Sequence, residues 1–528
     1  LLLQGIEEMR KFTLLTILVF VFLVTSREIA FGEPGIAWDS RGVPVCTTSG
    51  NQQNMRMASD GSGGAIIVWE DLRGMDPNIP DIYAQRINGN GVPQWSTNGV
   101  RVSTVPYRQS SPVIVSDGYS GAIIAWEDYA GGGGNSNIYA VRISSTGETC
   151  SPWPQDGVAL KSITTANQIT PDIASVGSDG AVIVWQERYS DHWEIYAQRI
   201  DMGGNLKWPV PVLVSSSTID VDANPKIIND GQGYVIITWE EIRGNLNIYA
   251  QRLLISTGTK DPTWDANGNV VTMAISGPKK PGIVPDGSGG AIIVWTDYRD
   301  TTTMPDIYAQ RISSGGVCMW SVDGMDYNGI PICKMRNEQM NPVIMNDLVG
   351  GATIGAIIAW EDKRDDYYGD IYAEKVPLNA TGWTGDGKEM AAGINIQQIL
   401  PRMVSDNQGG GIITWIENDL ISSQYKIFAS KRNQDGDPVW SMYPGVLVCQ
   451  ASNIVDHQIV SDGSLGVIIA WQSGPSSDYN IYAQRVVEDG AMLFSASISG
   501  RVTLPDRETG ITGVDVWALK DEKLVSSV

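Results

Sequence analysis

The segment Gly64-Ala65-Ile66-Ile67-Val68-Trp69-Glu70-Asp71 decides the fold, because the chain repeats it. After nine intervening residues, Asp81-Ile82-Tyr83-Ala84-Gln85-Arg86 completes the repeated pattern. The Trp recurs at intervals of 54 to 65 residues, at Trp69, Trp126, Trp185, Trp239, Trp295, Trp360, Trp415 and Trp471. An aromatic residue follows each Trp, at Tyr83, Tyr139, Tyr196, Tyr249, Tyr308, Tyr372, Phe428 and Tyr482. A period of this length is typical of repeat proteins, so the chain contains eight copies of one unit.

Each copy contains four short runs of strand-like composition. Pro112-Val113-Ile114-Val115-Ser116 exemplifies the first run, and Gly99-Val100-Arg101-Val102 the last. Asp-Gly, Gly-Gly and Asn-Gly signals separate the runs and favour hairpins, and no segment has the period of a helix. Each copy is therefore predicted to be a four-stranded antiparallel meander. Because a meander with two apolar faces needs neighbours on both sides, we predict an all-β, eight-bladed β-propeller, with a string of small β-sandwiches as the alternative.

The N-terminal part of the repeat region carries a signal for ring closure. Residues 38–45, Trp38-Asp39-Ser40-Arg41-Gly42-Val43-Pro44-Val45, match residues 95–102 position for position, although no earlier strands precede them. This orphan strand is predicted to become the outermost strand of the eighth blade, which would protect the open edges of the ring. In a rival arrangement the eighth blade completes itself, since residues 490–494 resemble residues 91–95.

Both ends of the chain differ from the repeats. Met9-Arg10-Lys11, the apolar stretch from Phe12 to Val24 and the small residues near Gly32 are typical of a cleaved secretory signal peptide, so residues 1–32 are assigned to upstream sequence and signal. The apolar stretch is too short for a membrane anchor. Residues 33–490 are assigned to the propeller. Residues 491–528 are assigned to a linker and the truncated start of a β-sandwich module, which we expect to continue beyond residue 528.

The composition limits the function classes. With 37 Lys and Arg against 59 Asp and Glu, the formal net charge is −22, which opposes binding to nucleic acid or to an anionic membrane. The chain has only 2 His, which leaves little room for His-rich metal sites or Ser-His-Asp chemistry. A soluble, secreted or cell-surface protein without a membrane span in its mature chain is therefore expected.

Two resemblances to known families support an extracellular setting. The pattern Trp-Glu-Asp-x-Arg followed by Asp-Ile-Tyr-Ala-Gln-Arg resembles a group of secreted bacterial β-propeller repeat proteins, over residues 36 to 490. This resemblance implies a propeller and carries over no catalytic residue. Residues 498–503 and 508–517 resemble the opening strands of carboxypeptidase-regulatory-like β-sandwich modules, which are common in large secreted bacterial proteins.

Side chains that recur in nearly every copy must first be explained by the architecture that all copies share. Carboxylates stand two residues after most of the repeated Trp residues, and basic residues such as Arg86 end the Tyr-containing strand. These groups lie on adjacent strands of one hairpin, so cross-strand ion pairs between them are expected. The repeated aromatic residues are expected to form the core between blades.

The variable loops between the second and third strands are the candidate binding face. They emerge, together with the connections between blades, on one face of the ring, and variable loops on a rigid frame commonly carry binding function. The ligand-binding candidates on this face are Asp71, Arg73, Asp128, His192, Trp193, Arg243, Arg299, Arg364, Tyr367 and Tyr368. For His192 and Trp193, stacking on a sugar and an exposed pair without function both remain open.

The sequence signals for a cofactor and for a disulfide are weaker than those for the fold. No segment matches the EF-hand spacing, so no cofactor is predicted, and a ring of carboxylates that holds Ca²⁺ remains the alternative. Among the 5 Cys, Cys318 and Cys333 flank an enlarged hairpin and are the best local pair for a disulfide. Packing as small residues is the alternative, because Cys333 shares its register with Cys46 and Cys449.

Two functions follow from these observations. The first is a non-catalytic extracellular surface or adhesion module that presents a face for a carbohydrate or protein ligand, within a larger surface protein or assembly. The second is a secreted carbohydrate-active enzyme with carboxylates at the channel mouth, which would need paired acids at a defined separation. The identity of the ligand is beyond the sequence.

Overall fold

A computed structural model describes residues 37–487, with short gaps, and parts of residues 517–527. The gaps are residues 40, 75, 77–78, 131–133, 163–165, 191, 218–223, 274–276, 300–304, 322–326, 366, 381–384, 392, 394 and 441–443. The predicted signal peptide, residues 1–32, lies outside the described residues, as does most of the predicted β-sandwich start.

The described repeats form eight four-stranded antiparallel sheets. Strand β1 (Val43–Cys46) precedes the first complete repeat. Blades 1 to 4 consist of β2 (Gln52–Ser59), β3 (Ala65–Asp71), β4 (Asp81–Ile87) and β5 (Val100–Arg101); β6 (Gln109–Ser116), β7 (Ala122–Asp128), β8 (Asn137–Ile143) and β9 (Val158–Ala159); β10 (Asn167–Ser175), β11 (Ala181–Arg188), β12 (Trp193–Ile200) and β13 (Val212–Ser217); and β14 (Lys226–Asn229), β15 (Tyr234–Arg243), β16 (Asn245–Leu254) and β17 (Asn269–Thr272). A single 3₁₀ turn, Gly177–Asp179, lies between β10 and β11 within the described chain.

Blades 5 to 8 repeat this arrangement. They consist of β18 (Lys279–Pro285), β19 (Ala291–Asp297), β20 (Asp306–Ile312) and β21 (Ile330–Cys333); β22 (Gln339–Val349), β23 (Ala352–Asp362), β24 (Asp370–Pro377) and β25 (Lys388–Ala391); β26 (Ile396–Ser405), β27 (Gly411–Asp419), β28 (Gln424–Arg432) and β29 (Val446–Ala451); and β30 (Ile454–Ser461), β31 (Val467–Ser473) and β32 (Asn480–Val486), with β1 as the fourth strand. The first strand of each blade contacts the first strand of the next, and β30 contacts β2. The first strands are therefore innermost, and the predicted eight-bladed propeller is confirmed.

The N-terminal strand closes the ring. Strand β1 pairs antiparallel with β32, with Val43 opposite Ala483 and Pro44 opposite Tyr482. Trp38 also donates a hydrogen bond from Nε1 to the carbonyl of Gly89 in blade 1, at 3.2 Å. Closure by the orphan strand is thus the arrangement that the structure adopts.

The core lies between blades, where the second strands are completely buried. Residues 65–71 of β3 are all buried, because each face of this strand packs against a neighbouring element. Each repeated Trp stacks on the Tyr or Phe of the adjacent third strand, with ring centroids 5.9 to 6.4 Å apart and ring planes 20° to 29° apart. The repeated aromatic pairs are therefore architectural, as the sequence predicts.

The tight turns between the first and second strands are held by a repeated ion pair. Asp60 accepts hydrogen bonds from the backbone of Ser62 and Gly64 through Oδ1, and pairs with Arg86 through Oδ2, at 2.9 Å. Arg86 also donates to the carbonyl of Ser145 in the next blade. The expected pairing of Arg86 with Asp71 is wrong, because Arg86 lies at the turn end of its strand and Asp71 at the opposite end.

Two units result from the pattern of contacts, Leu1–Met492 and Leu493–Val528. In the second unit, β33 (Trp517–Lys520) and β34 (Lys523–Ser527) form an antiparallel hairpin. No helix in the described part of the chain is long and apolar enough to cross a membrane.

Candidate functional site

The loop face is the face of the ring that carries the loops between second and third strands and the connections between blades. In blade 1, Asp71 and Asp81 lie at the loop face, because they stand opposite each other in the strand register at the loop end of the β3–β4 hairpin. The Asp-Gly turns and the Asn88–Val92 turn lie on the opposite face, which we call the turn face.

Blade 1 holds a compact cluster of four side chains just below the loop face. Asp71 accepts a hydrogen bond from Trp69 Nε1 at 2.7 Å and forms an ion pair with Arg73 at 2.5 Å. The guanidinium of Arg73 lies 3.8 Å from the ring centroid of Tyr83. Arg73 also donates to Cys46 Sγ in the outer strand of blade 8 and to the carbonyl of Asn98. The charges of both candidates, Asp71 and Arg73, are thus satisfied inside the protein.

Three other blades repeat this arginine cluster. In each, the arginine pairs with the carboxylate two residues earlier and stacks on the Tyr ring at 3.9 to 4.0 Å. The pairs are Glu241 with Arg243, Asp297 with Arg299, and Asp362 with Arg364, at 2.6 to 2.8 Å. The candidates Arg243, Arg299 and Arg364 therefore have the architectural role, and their geometry argues against ligand binding.

In blade 3, the same positive charge comes from a residue of the preceding blade. Tyr189 stands where the arginine cluster has its arginine, and Lys161, two residues after the outer strand of blade 2, pairs with Glu187 at 2.8 Å. The ammonium of Lys161 lies 3.3 Å from the ring centroid of Tyr196. The cluster therefore requires a cation over the Tyr ring, and either of two positions can supply it.

Blade 2 keeps the carboxylate and lacks the cation. Asp128 accepts hydrogen bonds from Trp126 Nε1 at 2.9 Å and from the backbone of Ala130 at 2.8 Å. Among the described residues, no lysine or arginine lies within ion-pair distance of it. Burial raises the pKa of the Asp128 carboxyl above its ordinary value, and the hydrogen bonds to this carboxyl only partly oppose the shift. Asp128 is buried, so it does not present a charge to solvent.

A second set of carboxylates joins the second strand of four blades to the next blade. Glu70 accepts a hydrogen bond from the backbone of Ser111 at 2.8 Å, and Ser111 has a left-handed conformation in a bulge of the innermost strand. The same contact recurs from Glu127 to Thr170, from Glu240 to Lys280 and from Glu361 to Leu400. Sequence reasoning missed this role. The Glu directly after the Trp, present in only four copies, was the signal that could have indicated it.

The two blade 3 candidates have different environments. Trp193 begins β12 and is only 4% exposed, so the prediction that it is an exposed loop residue is wrong. It is covered because the hairpin of blade 3 extends two residues further than predicted, to the pair Arg188–Trp193. His192 is partly exposed and stacks on Tyr189, with ring centroids 4.5 Å apart.

The two blade 6 candidates are accessible. Tyr367 is 83% exposed and Tyr368 is 37% exposed, and their rings meet edge to face at 6.0 Å. Lys363 lies 5.4 Å from the Tyr367 ring and pairs with Glu338. Asp365 accepts a hydrogen bond from the hydroxyl of Tyr372. We call Tyr367 and Tyr368, with Lys363 beside them, the tyrosine platform.

Sequence reasoning missed further exposed apolar residues in the loops of the adjacent blades. Tyr298 in blade 5 is 36% exposed, and Ile421 at the tip of the blade 7 hairpin is 80% exposed. Both stand in segments that vary between copies, and apolar residues in such segments were the available signal. Blades 5 to 7 thus each present at least one apolar side chain on the loop face.

The predicted disulfide between Cys318 and Cys333 is not formed. All five cysteines are free thiols. Cys318 packs against the carbonyl of Val270 in blade 4, whereas Cys333 lies against Asp362 and Arg364 in blade 6. The two thiols therefore belong to opposite interfaces of blade 5, and the packing alternative is correct. Within the described residues, no group of three or more His, Cys, Asp or Glu side chains could hold a metal.

Comparisons with known proteins identify no family. No family model matches the chain. No curated protein matches it either. Among solved structures, a puromycin hydrolase is 11% identical with a TM-score of 0.44, over 84% of this chain and 63% of its own length. An α-L-arabinanase from Penicillium chrysogenum complexed with arabinobiose is 11% identical with a TM-score of 0.35, over 76% of this chain and 98% of its own. These values carry no information about function.

Proposed function

We propose that the protein is a secreted or cell-surface module that binds carbohydrate, without catalysis, through the tyrosine platform on the loop face. The observation that carries this proposal is the exposed pair Tyr367 and Tyr368. Two rings at a large angle offer stacking faces for the apolar side of a sugar, and their hydroxyls supply hydrogen bonds. Aromatic surface of this extent is costly to leave in water without a partner.

Charged groups around the platform support a polar, uncharged ligand. Lys363 and Asp365 flank the tyrosines and provide both a donor and an acceptor for hydroxyl groups. The overall acidic balance disfavours anionic ligands. Export, which the signal-peptide pattern in residues 1–32 predicts, would bring this face into contact with extracellular polysaccharides.

The state of the repeated carboxylates supports a non-catalytic role. The carboxylates two residues after the Trp bind the indole and, in four blades, an arginine, while the Glu residues directly after the Trp bind the next blade. A glycosidase needs two carboxyl groups that face a substrate across a pocket. These carboxylates instead face protein donors.

Glycan-array binding with two matched variants tests the proposal. Tyr367→Ala combined with Tyr368→Ala is expected to weaken binding about tenfold or more, since each aromatic contact contributes about 0.5–1.5 kcal/mol beyond area burial. The control is Tyr119→Ala, because Tyr119 is 64% exposed beside Arg142 but lies on the turn face.

Three results would contradict the proposal. The first is that the wild-type protein binds no glycan on the array, which would leave the proposal without support. Equal loss of binding in the control would show that the platform has no special role. Release of reducing ends from a bound polysaccharide would favour the enzyme alternative. Both variants should melt at the wild-type temperature, because exposed residues contribute within about 0.5 kcal/mol to stability.

A further inference from the structure

Blade 8 lacks the two charged side chains that fill the arginine cluster elsewhere. Ser473 stands two residues after Trp471, where blade 1 has Asp71, and Pro475 stands where blade 1 has Arg73. The hydroxyl of Ser473 donates to the carbonyl of Asn453, away from the indole. The ion pair of the cluster is therefore absent from this blade.

The surroundings of the missing pair are retained. Trp471 and Tyr482 lie parallel at 6.0 Å, as in the other blades. A Cβ atom on Gly42 would collide with Cη2 and Cζ2 of Trp471, just as one on Gly99 would collide with the same atoms of Trp69. The indole therefore has the orientation that, in blade 1, directs Nε1 at the carboxylate. Within the described chain, no protein atom accepts a hydrogen bond from Trp471 Nε1.

The contacts of the missing guanidinium are retained as well. Arg73 and Arg364 each donate to a thiol on the outer strand of the preceding blade, Cys46 at 3.2 Å and Cys333 at 3.0 Å. Cys449 occupies this register next to blade 8. Arg73 also donates to the carbonyl of the residue before Gly99, and Arg41 holds this position before Gly42.

A cavity of about 480 Å³ occupies this place, which we call the blade 8 slot. Its lining includes Trp471, Ser473 and Tyr482 of blade 8, Cys449 to Ala451 of blade 7 and Gly42 to Pro44 of the closing strand. Asp39 and Arg41, both exposed, line its mouth with charges of opposite sign. Its volume falls within the range of small-molecule sites.

We infer that the blade 8 slot binds a ligand that carries a carboxylate and a guanidinium, as in free arginine or a peptide that ends in arginine. The carboxylate takes the place of Asp71 and accepts a hydrogen bond from Trp471 Nε1. The guanidinium takes the place of the Arg73 guanidinium, over the ring of Tyr482 and beside the thiol of Cys449. The protein satisfies the same contacts with its own residues in four other blades, so the ligand restores a charge arrangement for which this fold is already shaped.

Both charges are needed for good affinity. A cation alone would lie beside the indole N–H without the carboxylate that balances it in the other blades. A carboxylate alone would leave the face of Tyr482 uncovered. A ligand with either charge removed is therefore expected to bind at least tenfold more weakly, which is the typical effect of one charge-assisted hydrogen bond.

Isothermal titration calorimetry on the full chain tests this inference with four probes. L-Arginine and a short peptide that ends in arginine should bind one per chain. Agmatine, which lacks the carboxylate, and L-citrulline, which lacks the cation, should each bind at least tenfold more weakly than L-arginine. Tighter binding of the peptide would identify a chain terminus as the natural source, and tighter binding of L-arginine would identify the free amino acid.

Two variants that fill the slot provide the controls. Ser473→Asp with Pro475→Arg copies the pattern of blade 1. Cys449→Lys with Ser473→Glu copies the pattern of blade 3, in which Lys161 and Glu187 occupy these positions. Each variant should lose at least tenfold in affinity for L-arginine without a lower melting temperature, and if one does not fold, the other decides.

The inference is overturned by any of three results. One is the absence of binding of both arginine probes to wild-type protein at millimolar concentration. Another is binding of agmatine or L-citrulline as tight as that of L-arginine. The third is unchanged affinity in a folded variant with a filled slot. None of these results depends on the tyrosine platform, which belongs to another blade.

Discussion

His457 should make the interface between blades 7 and 8 sensitive to acid. Its ring is completely buried, and Nε2 shares a hydrogen bond of 2.8 Å with Thr414 Oγ1 of blade 7. Nδ1 is buried without a partner among the described residues. Met55 occupies the same register in blade 1, so His457→Met keeps a buried side chain of similar length and removes the titrating group.

The magnitude follows from the pKa of the imidazole. Burial, together with the nearby positive charge of Arg402, lowers the pKa of His457 from about 6.5 to about 3. The folded state therefore binds fewer protons than the unfolded state between these two values, and stability falls as the pH falls through this window. Between pH 7 and pH 5, the linkage relation gives a loss of about 2 kcal/mol from this one group.

Thermal melts at pH 7 and pH 5 measure this loss. For a ring of about 450 residues, about 2 kcal/mol corresponds to a shift of about 2 °C in the melting temperature. The melting temperature of the wild type should fall by about 2 °C more than that of His457→Met over this range, because Asp456, Arg402 and all other titrating groups are common to both proteins. At pH 7 the two proteins should differ by no more than about 1 kcal/mol, since the variant loses one hydrogen bond and one unpartnered nitrogen. Parallel pH profiles would refute the reasoning.

Three further variants test the architecture. Deletion of residues 37–46 should lower stability by at least about 4 kcal/mol in chemical denaturation, because it exposes the edge of β32 and removes the buried Val45 from the core. An unchanged midpoint would mean that the ring does not depend on this strand. Asp297→Asn should cost about 2 kcal/mol, because it leaves the guanidinium of Arg299 unpaired. The same change at Asp128 should cost less than about 1 kcal/mol in the same denaturation assay, because it removes a buried charge that has no cation nearby; equal costs would contradict the contrast between the two clusters.

Local sequence signals were sufficient for the propeller because the signals repeat. Turn residues such as Asp60 bind backbone groups only a few residues away in the chain. The apolar run from Ala65 to Trp69 predicts a strand that is buried on both faces. The match of residues 38–45 to residues 95–102 likewise assigned the closing strand, since equal sequences take equal places in a repeat.

The partners of the charged side chains were not accessible in this way. Arg86 and Asp71 lie in one hairpin, yet they stand at opposite ends of it, and Arg86 pairs with Asp60 instead. The spacing in the sequence predicted which strands carry the charged residues. It did not predict at which end of the hairpin each charged residue stands. A similar limit applied to Trp193, which one further residue pair in the hairpin of blade 3 converts from a loop residue into a buried one.

The sequence by itself determined the number of blades, the order of the strands and the residue that closes each turn. Only the tertiary structure decided which side chains face solvent and which face the next blade. Tyr83 and Tyr482 have the same sequence context, but the first is covered by Arg73 and the second lines an open cavity. The physical reason is that burial and charge satisfaction depend on atoms brought from the neighbouring blade, whereas strand and turn formation depend on residues adjacent in the chain.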